Sequence, residues 1–197
     1  MVWDDCRFRS GCSSNDIVMS TSSNGKSWSS VARIPIDPVN SGEDHFLPGI
    51  GVDRSTSGSS AHLALSYYFY PVANCSVSTC QLEAGYVTST DGGSTWTSPV
   101  QIAGPIKLAA LPDTTLGYMV GDYISTSILG NGKADTVVAV APNKGTCTLG
   151  KIKSCKESMR APTGGFPVLA GTNPASSAGV VWFGGSDNQP LGLRTAF

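Results

Sequence analysis

The octapeptide STDGGSTW at residues 89–96 ends a polar, glycine-rich run with a tryptophan. Residues 21–28, TSSNGKSW, carry the same pattern, with a hydroxyl residue first, glycine fifth, a hydroxyl residue seventh and tryptophan eighth. The two tryptophans, Trp28 and Trp96, are 68 positions apart. Because a fixed sequence period marks repeat architectures, this pair predicts a fold built from repeated units.

The cysteines recur with the same period: one lies 16 residues before each tryptophan, and another lies just upstream of it. A third, degenerate unit contains the remaining two cysteines, and APTGGFPVLAG at residues 161–171 stands in the place of its box. The repeat favours pairing between neighbours, whereas a zinc site is disfavoured because there is no CxxC spacing and there are only two histidines. The predicted disulfides are Cys6–Cys12, Cys75–Cys80 and Cys147–Cys155.

The apolar runs are short, rich in β-branched and aromatic residues, and bounded by Gly, Pro, Asn and Ser. Examples are AHLALSYYFY at 61–70, ADTVVAVAP at 134–142 and AGVVWF at 178–183. Such runs are typical of strands, and no window holds an apolar 3.6-residue period with a helix cap. The sequence therefore predicts an all-β chain.

The pattern S-x-D-x-G-x-T-W resembles the Asp-box of the sialidase superfamily, also called the BNR repeat. VWDDCR at residues 2–7 resembles the V-W-x-D-x-R strand of its bacterial members. The resemblance implies a β-propeller of four-stranded antiparallel blades, with the box at the turn between the third and fourth strands. About three blades fit in this chain, so a partial propeller is expected, completed by a longer chain or by a second copy.

The resemblance divides the single propeller segment, residues 1–197, into units. One blade covers about 1–40 and lacks its first strand; a second covers about 44–104 and a third about 118–172. Residues 175–197 are expected to form strands of a following or closing blade, with AGVVWFGG at 178–185 or PLGLRTAF at 190–197 as the strand missing from the first.

The box residues are predicted to be structural. Gly93 suits a positive φ, Asp91 can accept hydrogen bonds from the turn's own amides, and Trp96 and Trp28 are expected to pack as core anchors and not as sugar platforms. The residues assigned to the two boxes are Ser89, Asp91, Gly93, Thr95 and Trp96 in one, and Ser23, Gly25 and Trp28 in the other, where Ser23 replaces the aspartate.

In this family the active site lies on the face opposite the boxes, so the resemblance directs the search for chemistry there. Asp122, Asp44 and Asp5 are the candidate acids and bases for glycosidic cleavage. The candidate nucleophile is Tyr123, and the candidate substrate-binding residues are Arg7, for an anionic sugar, and His45. Two structural alternatives remain open: an Asp5–Arg7 ion pair that closes a strand, and a histidine bonded within its loop.

One further similarity departs from the family pattern. RIP at residues 33–35 has the letters of a sialidase signature, but here it follows a box instead of preceding the first one. Arg33 is therefore expected on an outer-edge strand that faces away from the channel, and no arginine triad can be assigned among Arg7, Arg9, Arg160 and Arg194.

Composition limits the partners. The net charge is −1, charged residues make up 14% of the chain, and no apolar stretch is long enough to span a bilayer, so nucleic acid and membrane are not expected. No cofactor is predicted, and Ca²⁺ lacks a loop with metal-ligand spacing. The cysteine pairs indicate an extracellular or periplasmic location, although the chain has no signal peptide.

The predicted function is a secreted, sialidase-like glycoside hydrolase whose partner is a carbohydrate. The alternative is a non-catalytic propeller, or a fragment of a larger one, that binds glycan or protein.

Overall fold

The computed structural model describes residues 1–142, 147 and 155–172, together with the backbone of residues 193–195. In this part the chain is all-β, which confirms the predicted class. The helical elements described are three short 3₁₀ turns at Ser10–Cys12, Gly58–Ser60 and Leu108–Ala110. None of the described residues belongs to a helix long and apolar enough to cross a lipid bilayer.

Three antiparallel sheets follow one another along the chain. The first has the order β1, β2, β3, with the bounds Val2–Asp5, Asp16–Met19 and Ala32–Arg33. The second has four strands in chain order, β4 (Asp44–Val52), β5 (Leu63–Tyr70), β6 (Gln81–Ser89) and β7 (Val100–Lys107).

A small hairpin separates the second sheet from the third. It consists of β8 (Asp113–Thr114) and β9 (Gly117–Tyr118). The third sheet contains β10 (Ser125–Ile128), β11 (Lys133–Val140) and β12 (Ser158–Pro162), while β13 (Phe166–Pro167) also pairs with β11 and β14 (Leu193–Thr195) pairs with β12.

The second sheet is buried on both faces, and this explains the sequence of its strands. Along β5, Leu65 and Tyr67 belong to a core shared with Ile17 of the first sheet, whereas Tyr68 belongs to a core shared with Val138 of the third. A strand buried on both faces reads as a nearly continuous apolar run instead of an alternating one. The second sheet therefore lies between the other two.

Close backbone contacts join the second and third sheets. A Cβ added at Gly49 would lie 2.8 Å from the carbonyl oxygen of Ile124, so the glycine allows β4 to approach the segment that leads into β10. The Tyr68 hydroxyl accepts a hydrogen bond from the Ala139 amide at 2.7 Å and lies 2.9 Å from its carbonyl oxygen, to which it donates. Buried polar groups at this junction are thus bonded across the two sheets.

The carboxyl-terminal segment differs from the sequence expectation. Residues 193–195 pair with Arg160, Ala161 and Pro162 of β12 and so extend the third sheet. The sequence interpretation assigned residues 175–197 to a following or closing blade, and PLGLRTAF as one possible missing strand of the first sheet. The other such run, AGVVWFGG at 178–185, lies outside the described residues.

The three predicted disulfides are present, and each joins neighbouring cysteines. No cysteine of the six is free. Disulfides persist in oxidising compartments, so this framework fits an extracytoplasmic, β-rich protein.

Candidate functional site

The turn at residues 89–96 is held by the side chains of its own polar residues. The Ser89 hydroxyl accepts the Gly93 amide at 2.9 Å, and Asp91 Oδ1 accepts the Thr95 amide at 2.9 Å. The Thr95 hydroxyl donates to Asp91 Oδ2 at 2.6 Å, and the hydrogen bond from this side chain is the main cause of a lowered pKa for Asp91. Gly93 has φ 89°, in the region that favours glycine. Asp91 is therefore occupied in holding the turn.

The turn at residues 22–28 has the same bonding pattern with one residue fewer. The Ser22 hydroxyl accepts the Gly25 amide at 2.8 Å, and Asn24 Oδ1 accepts the amides of Lys26 and Ser27, both at 2.8 Å. Asn24 thus accepts the amides of its turn as Asp91 does in the other turn, and the assignment of that role to Ser23 is wrong.

The hydrogen bonds that flank the two turns confirm this alignment. Ser29 N donates to Thr21 O at 2.8 Å, as Thr97 N donates to Thr88 O at 2.9 Å. The Thr21 amide also donates to the Ser29 hydroxyl, as the Thr88 amide donates to the Thr97 hydroxyl. Thr21 therefore corresponds to Thr88, and the first turn is shorter between Asn24 and Trp28.

The two tryptophans differ in burial. Trp96 is 1% exposed, lies in the core between the first and second sheets, and donates its indole N–H to Gly93 O at 3.0 Å. Trp28 is 46% exposed, so its predicted role as a core anchor is wrong. The difference comes from the surroundings. Trp96 is covered by residues of the first sheet such as Ile17, whereas Trp28 lies between β2 and β3 of that first sheet, which no described sheet precedes.

The register of the strands brings several acidic residues to the end of the sheets opposite the turns. Asp5 pairs with Asp16, and Asp44 pairs with Tyr70, one residue from the Phe69–Glu83 pair. This end of the sheets is called the acidic end below. Among the six predicted catalytic and substrate-binding residues, the described part of the chain shows one directly bonded pair, Asp5 and Arg7.

Asp5 and Arg7 form the ion pair anticipated as a structural alternative. Arg7 Nη2 lies 2.7 Å from Asp5 Oδ2, and the Arg7 amide donates to Asp5 Oδ1 at 2.8 Å. Hydrogen bonds from the Arg7 side chain and amide lower the pKa of Asp5 to about 2. Asp5 is therefore a carboxylate at neutral pH and does not serve as a proton donor.

Asp44 and His45 are tied to the loop before β2. Asp44 Oδ1 accepts the Asn15 amide at 2.7 Å. The His45 side chain is fully buried, its Nδ1 lies 3.2 Å from the Asn15 carbonyl oxygen, and its Nε2 lies 3.5 Å from Glu43 Oε2. The expected substrate contact of His45 does not fit this burial, and the alternative of an internally bonded histidine describes it.

Asp122 and Tyr123 lie in the segment between β9 and β10. Tyr123 is 88% exposed. Neither side chain has a hydrogen bond or ion pair within the described residues. These two residues are accessible to a ligand but are not held in a defined orientation by neighbours.

A buried ion-pair cluster closes the junction of the first and second sheets at the acidic end. Arg9 Nη2 lies 2.6 Å from Asp16 Oδ1 and 2.7 Å from Asp37 Oδ2. Arg33 Nε lies 2.7 Å from Asp16 Oδ1, outside hydrogen-bond alignment, and Arg33 also pairs with Asp37. Arg33 was expected to face away from the site; it belongs instead to this cluster, because two buried carboxylates need cationic partners.

The same cluster includes a possible metal-ligand set. Ligand atoms of Asp16, Asp37 and His45 lie within 4.8 Å of one another, and Asp16 Oδ2 and His45 Nε2 have no hydrogen bond. The guanidinium groups of Arg9 and Arg33 already neutralise both carboxylates. This arrangement is suited to internal charge pairing and is a poor fit for a cation.

Glu83 on β6 is the residue of this end that sequence reasoning missed. It is 7% exposed and sits beside Phe69 across the strand pair, and its carboxyl group has no hydrogen bond within the described residues. Burial, followed by the charge of Glu43, raises the pKa of Glu83 to about 7. A single glutamate in an apolar strand was the available signal, because charged residues are rarely buried without a partner.

No family model matches the chain, and neither a curated protein nor a solved structure matches it. The function must therefore be inferred from the geometry of these residues.

Proposed function

We propose that the chain is part of a secreted, sialidase-like β-propeller that hydrolyses glycosidic bonds at the acidic end of its sheets. Three successive antiparallel sheets, two box-type turns with one bonding pattern and three disulfides support this interpretation. Additional sheets, from a longer chain or from a second copy, complete the ring and cover the open edge of the first sheet.

The observation that carries the catalytic proposal is the state of Glu83. Its pKa of about 7, raised by burial and then by the charge of Glu43, keeps a large fraction of the side chain protonated near neutral pH. A protonated carboxylic acid beside an ionised one is the arrangement that glycosidic cleavage requires. Glu83 is the proposed general acid, and Glu43, whose charge contributes to the shift of Glu83, is the proposed second carboxyl group.

The proposed reaction includes two proton transfers. Glu83 gives its proton to the glycosidic oxygen as the bond to the anomeric carbon breaks, and the leaving group departs as an alcohol. Glu43 stabilises the positive charge that develops on the sugar and takes a proton from the water that attacks the anomeric carbon. Asp122 and Tyr123, which are accessible, are proposed to contact the sugar.

Leaving-group dependence tests this assignment. The variant Glu83→Gln is expected to lose most activity on 4-methoxyphenyl glycosides, whose leaving group needs protonation, and to retain it on 2,4-dinitrophenyl glycosides, whose leaving group does not. The substrates should include sialic acid and neutral hexose glycosides. In the wild type, kcat/KM is expected to fall as the pH rises through about 7, and this limb is expected to vanish in the variant.

Glu157→Gln is the matched control, because burial raises the pKa of Glu157 as well but the residue lies beside β12 of the third sheet. It is expected to leave both the rate and its pH dependence unchanged. Equal losses on both leaving groups in Glu83→Gln, or an unchanged pH profile, would remove Glu83 from the role of acid.

A non-catalytic binding propeller is the second candidate. It is favoured by Asp122 and Tyr123, which are exposed and whose side chains have no partner among the described residues, and by the occupation of Asp5 and Asp44 in internal bonds. Saturable glycan binding with no turnover of any aryl glycoside would select this candidate.

A further inference from the structure

Tyr67 on β5 is a buried titratable residue that the proposed mechanism does not use. Its side chain is 1% exposed and belongs to the core between the first and second sheets. Its hydroxyl has no hydrogen-bond partner within the described residues, although a buried tyrosine hydroxyl normally has one. The next residue, Tyr68, follows that rule, since its hydroxyl is bonded to both the amide and the carbonyl oxygen of Ala139.

The strand register places the Tyr67 hydroxyl on the same face of the sheet as Glu83. Tyr67 pairs with Gly85 across β5 and β6, and a Cβ added at Gly85 would lie 2.4 Å from the Tyr67 hydroxyl oxygen. The glycine therefore allows the end of the tyrosine ring to lie over β6. Glu83 precedes Gly85 by two residues, so its side chain leaves β6 on the same face, about 7 Å along the strand.

The two side chains have complementary unmet hydrogen bonds. A phenol can donate one hydrogen bond and a carboxylate can only accept, and neither side chain has a partner in the part of the chain that the structure describes. After burial, the charge of Glu43 is the next cause that raises the pKa of Glu83 and of Tyr67, so the three groups converge on one region. We propose that the Tyr67 hydroxyl donates a hydrogen bond to Glu83 once Glu83 has given up its proton, as a positioning residue for the general acid.

The catalytic part of this role rests on the proposed function, whereas the hydrogen bond itself does not. Proton transfer to the glycosidic oxygen leaves Glu83 as a buried carboxylate, and a buried charge without a partner is costly. The Tyr67 hydroxyl offsets part of that cost. Burial, followed by the charges of Glu43 and Asp37, raises the pKa of Tyr67 well above its ordinary value, so the tyrosine keeps its own proton. Tyr67 is therefore neither a nucleophile nor a second acid, and the proton transfers of the proposed reaction are unchanged.

Other ionisable groups lie on the elements around Glu83. They are Glu43 in the segment before β4, His45 on β4 and Lys107 on β7, with Arg9, Asp16, Arg33 and Asp37 of the buried ion-pair cluster on the side of the first sheet. Among the described residues none of these groups is bonded to Glu83. A variant that tests Tyr67 must therefore leave all of these charges in place.

The variant Tyr67→Phe meets this condition, because it removes the hydroxyl, keeps the ring beside His45 and Phe69, and changes no charge. The ionisation of Glu83 is followed by NMR of the full chain with isotope-labelled glutamate, and its signal is identified by its absence in Glu83→Gln. Tyr67→Phe is expected to raise the midpoint of this titration by about one pH unit, because a hydrogen bond to the ionised form is lost. In the wild type, the signal of the Tyr67 ζ-carbon is expected to move with the Glu83 midpoint, and to stop doing so in Glu83→Gln.

Kinetics on aryl glycosides test the catalytic part of the role. Without the hydroxyl, Glu83 ionises less readily, so Tyr67→Phe is expected to lower kcat/KM for 4-methoxyphenyl glycosides about tenfold and to leave 2,4-dinitrophenyl glycosides nearly unchanged. Tyr68→Phe is the matched control, because the Tyr68 hydroxyl is bonded to Ala139 of the third sheet. It is expected to unfold at lower denaturant concentration, with the Glu83 midpoint and both rates unchanged.

An unchanged or lowered Glu83 midpoint in Tyr67→Phe would overturn the inference, as would an equal shift in Tyr68→Phe or a Tyr67 carbon signal that does not follow Glu83. Equal rate losses on both leaving groups would remove the catalytic part of the role. The NMR measurements do not depend on turnover. A wild type that hydrolyses no aryl glycoside would therefore count against the proposed function while the titration still decides the bond, and an active wild type with an unshifted midpoint would reject the bond alone.

Discussion

The first and second sheets contain equivalent residues in unequal surroundings. Thr21 corresponds to Thr88, and five residues earlier along β2 and β6 Asp16 corresponds to Glu83. Asp16 pairs with two guanidinium groups, whereas Glu83 pairs with none in the part of the chain that the structure describes and has a pKa raised to about 7 by burial and by the charge of Glu43. The repeat therefore determines where a side chain lies, and the neighbouring segment determines its charge state and its partners.

The tryptophans of the two turns, at the other end of the sheets, are also equivalent residues in unequal surroundings. Both turns are held by side-chain bonds within a few residues, so their shape does not depend on what lies outside. Burial of the tryptophan ring does depend on the neighbouring sheet, because Trp96 has the first sheet beside it and Trp28 has no described sheet in the equivalent place.

Replacing each tryptophan by alanine gives the largest expected difference between the two units. Trp96→Ala removes a fully buried ring from the core between the sheets and is expected to lower the free energy of unfolding by about 3–5 kcal/mol. Trp28→Ala is expected to change it by about 0.5 kcal/mol or less, as at other exposed positions. Denaturant unfolding of both variants measures this, and equal losses would mean that Trp28 is covered in solution.

Removing a guanidinium makes Asp16 resemble Glu83. Arg9→Leu leaves two buried carboxylates with one cationic partner and is expected to destabilise the chain by about 3 kcal/mol at pH 7. Arg7→Leu, which breaks the exposed pair with Asp5, is the control and is expected to have little effect on unfolding.

The unpaired carboxyl of Glu83 predicts a pH dependence of stability. Its pKa is about 7 in the folded chain and near 4.5 when unfolded, so the folded state binds more protons between these values. Stability is therefore expected to fall as the pH rises from about 4.5 to 7, by about 1–2 kcal/mol after allowance for solvent screening. Glu83→Gln should remove this fall. If the variant keeps the wild-type slope between pH 4.5 and 7, another group is responsible.

The strands and disulfides could be predicted because their signals are local. The run at 61–70 gives β5 (Leu63–Tyr70), and the cysteine repeat gives all three bonds. The lone glutamate in the apolar strand β6 was a signal for Glu83, but its raised pKa could not be predicted, because it comes from burial by residues distant in sequence. The cluster around Arg9 and Arg33 was missed for the same reason: Asp37 is 28 positions from Arg9, and no motif joins them.

The smallest expected effect tests the alignment of the two turns. A gap-free match of residues 21–28 with 89–96 keeps the glycine and tryptophan in place but puts Ser23 opposite Asp91. The hydrogen bonds put Asn24 there, because its Oδ1 accepts two amides at 2.8 Å. Asn24→Ala is therefore expected to cost about 0.5–1 kcal/mol of unfolding free energy, and Ser23→Ala close to none.

Asn24→Asp serves as the matched variant, since it restores the residue type of the second turn and keeps the accepting oxygen. It is expected to unfold like the wild type, because the two amides of Lys26 and Ser27 are bound by either side chain. A loss in Ser23→Ala that equals or exceeds the loss in Asn24→Ala would restore the gap-free alignment, and with it the expectation that both turns have the same length.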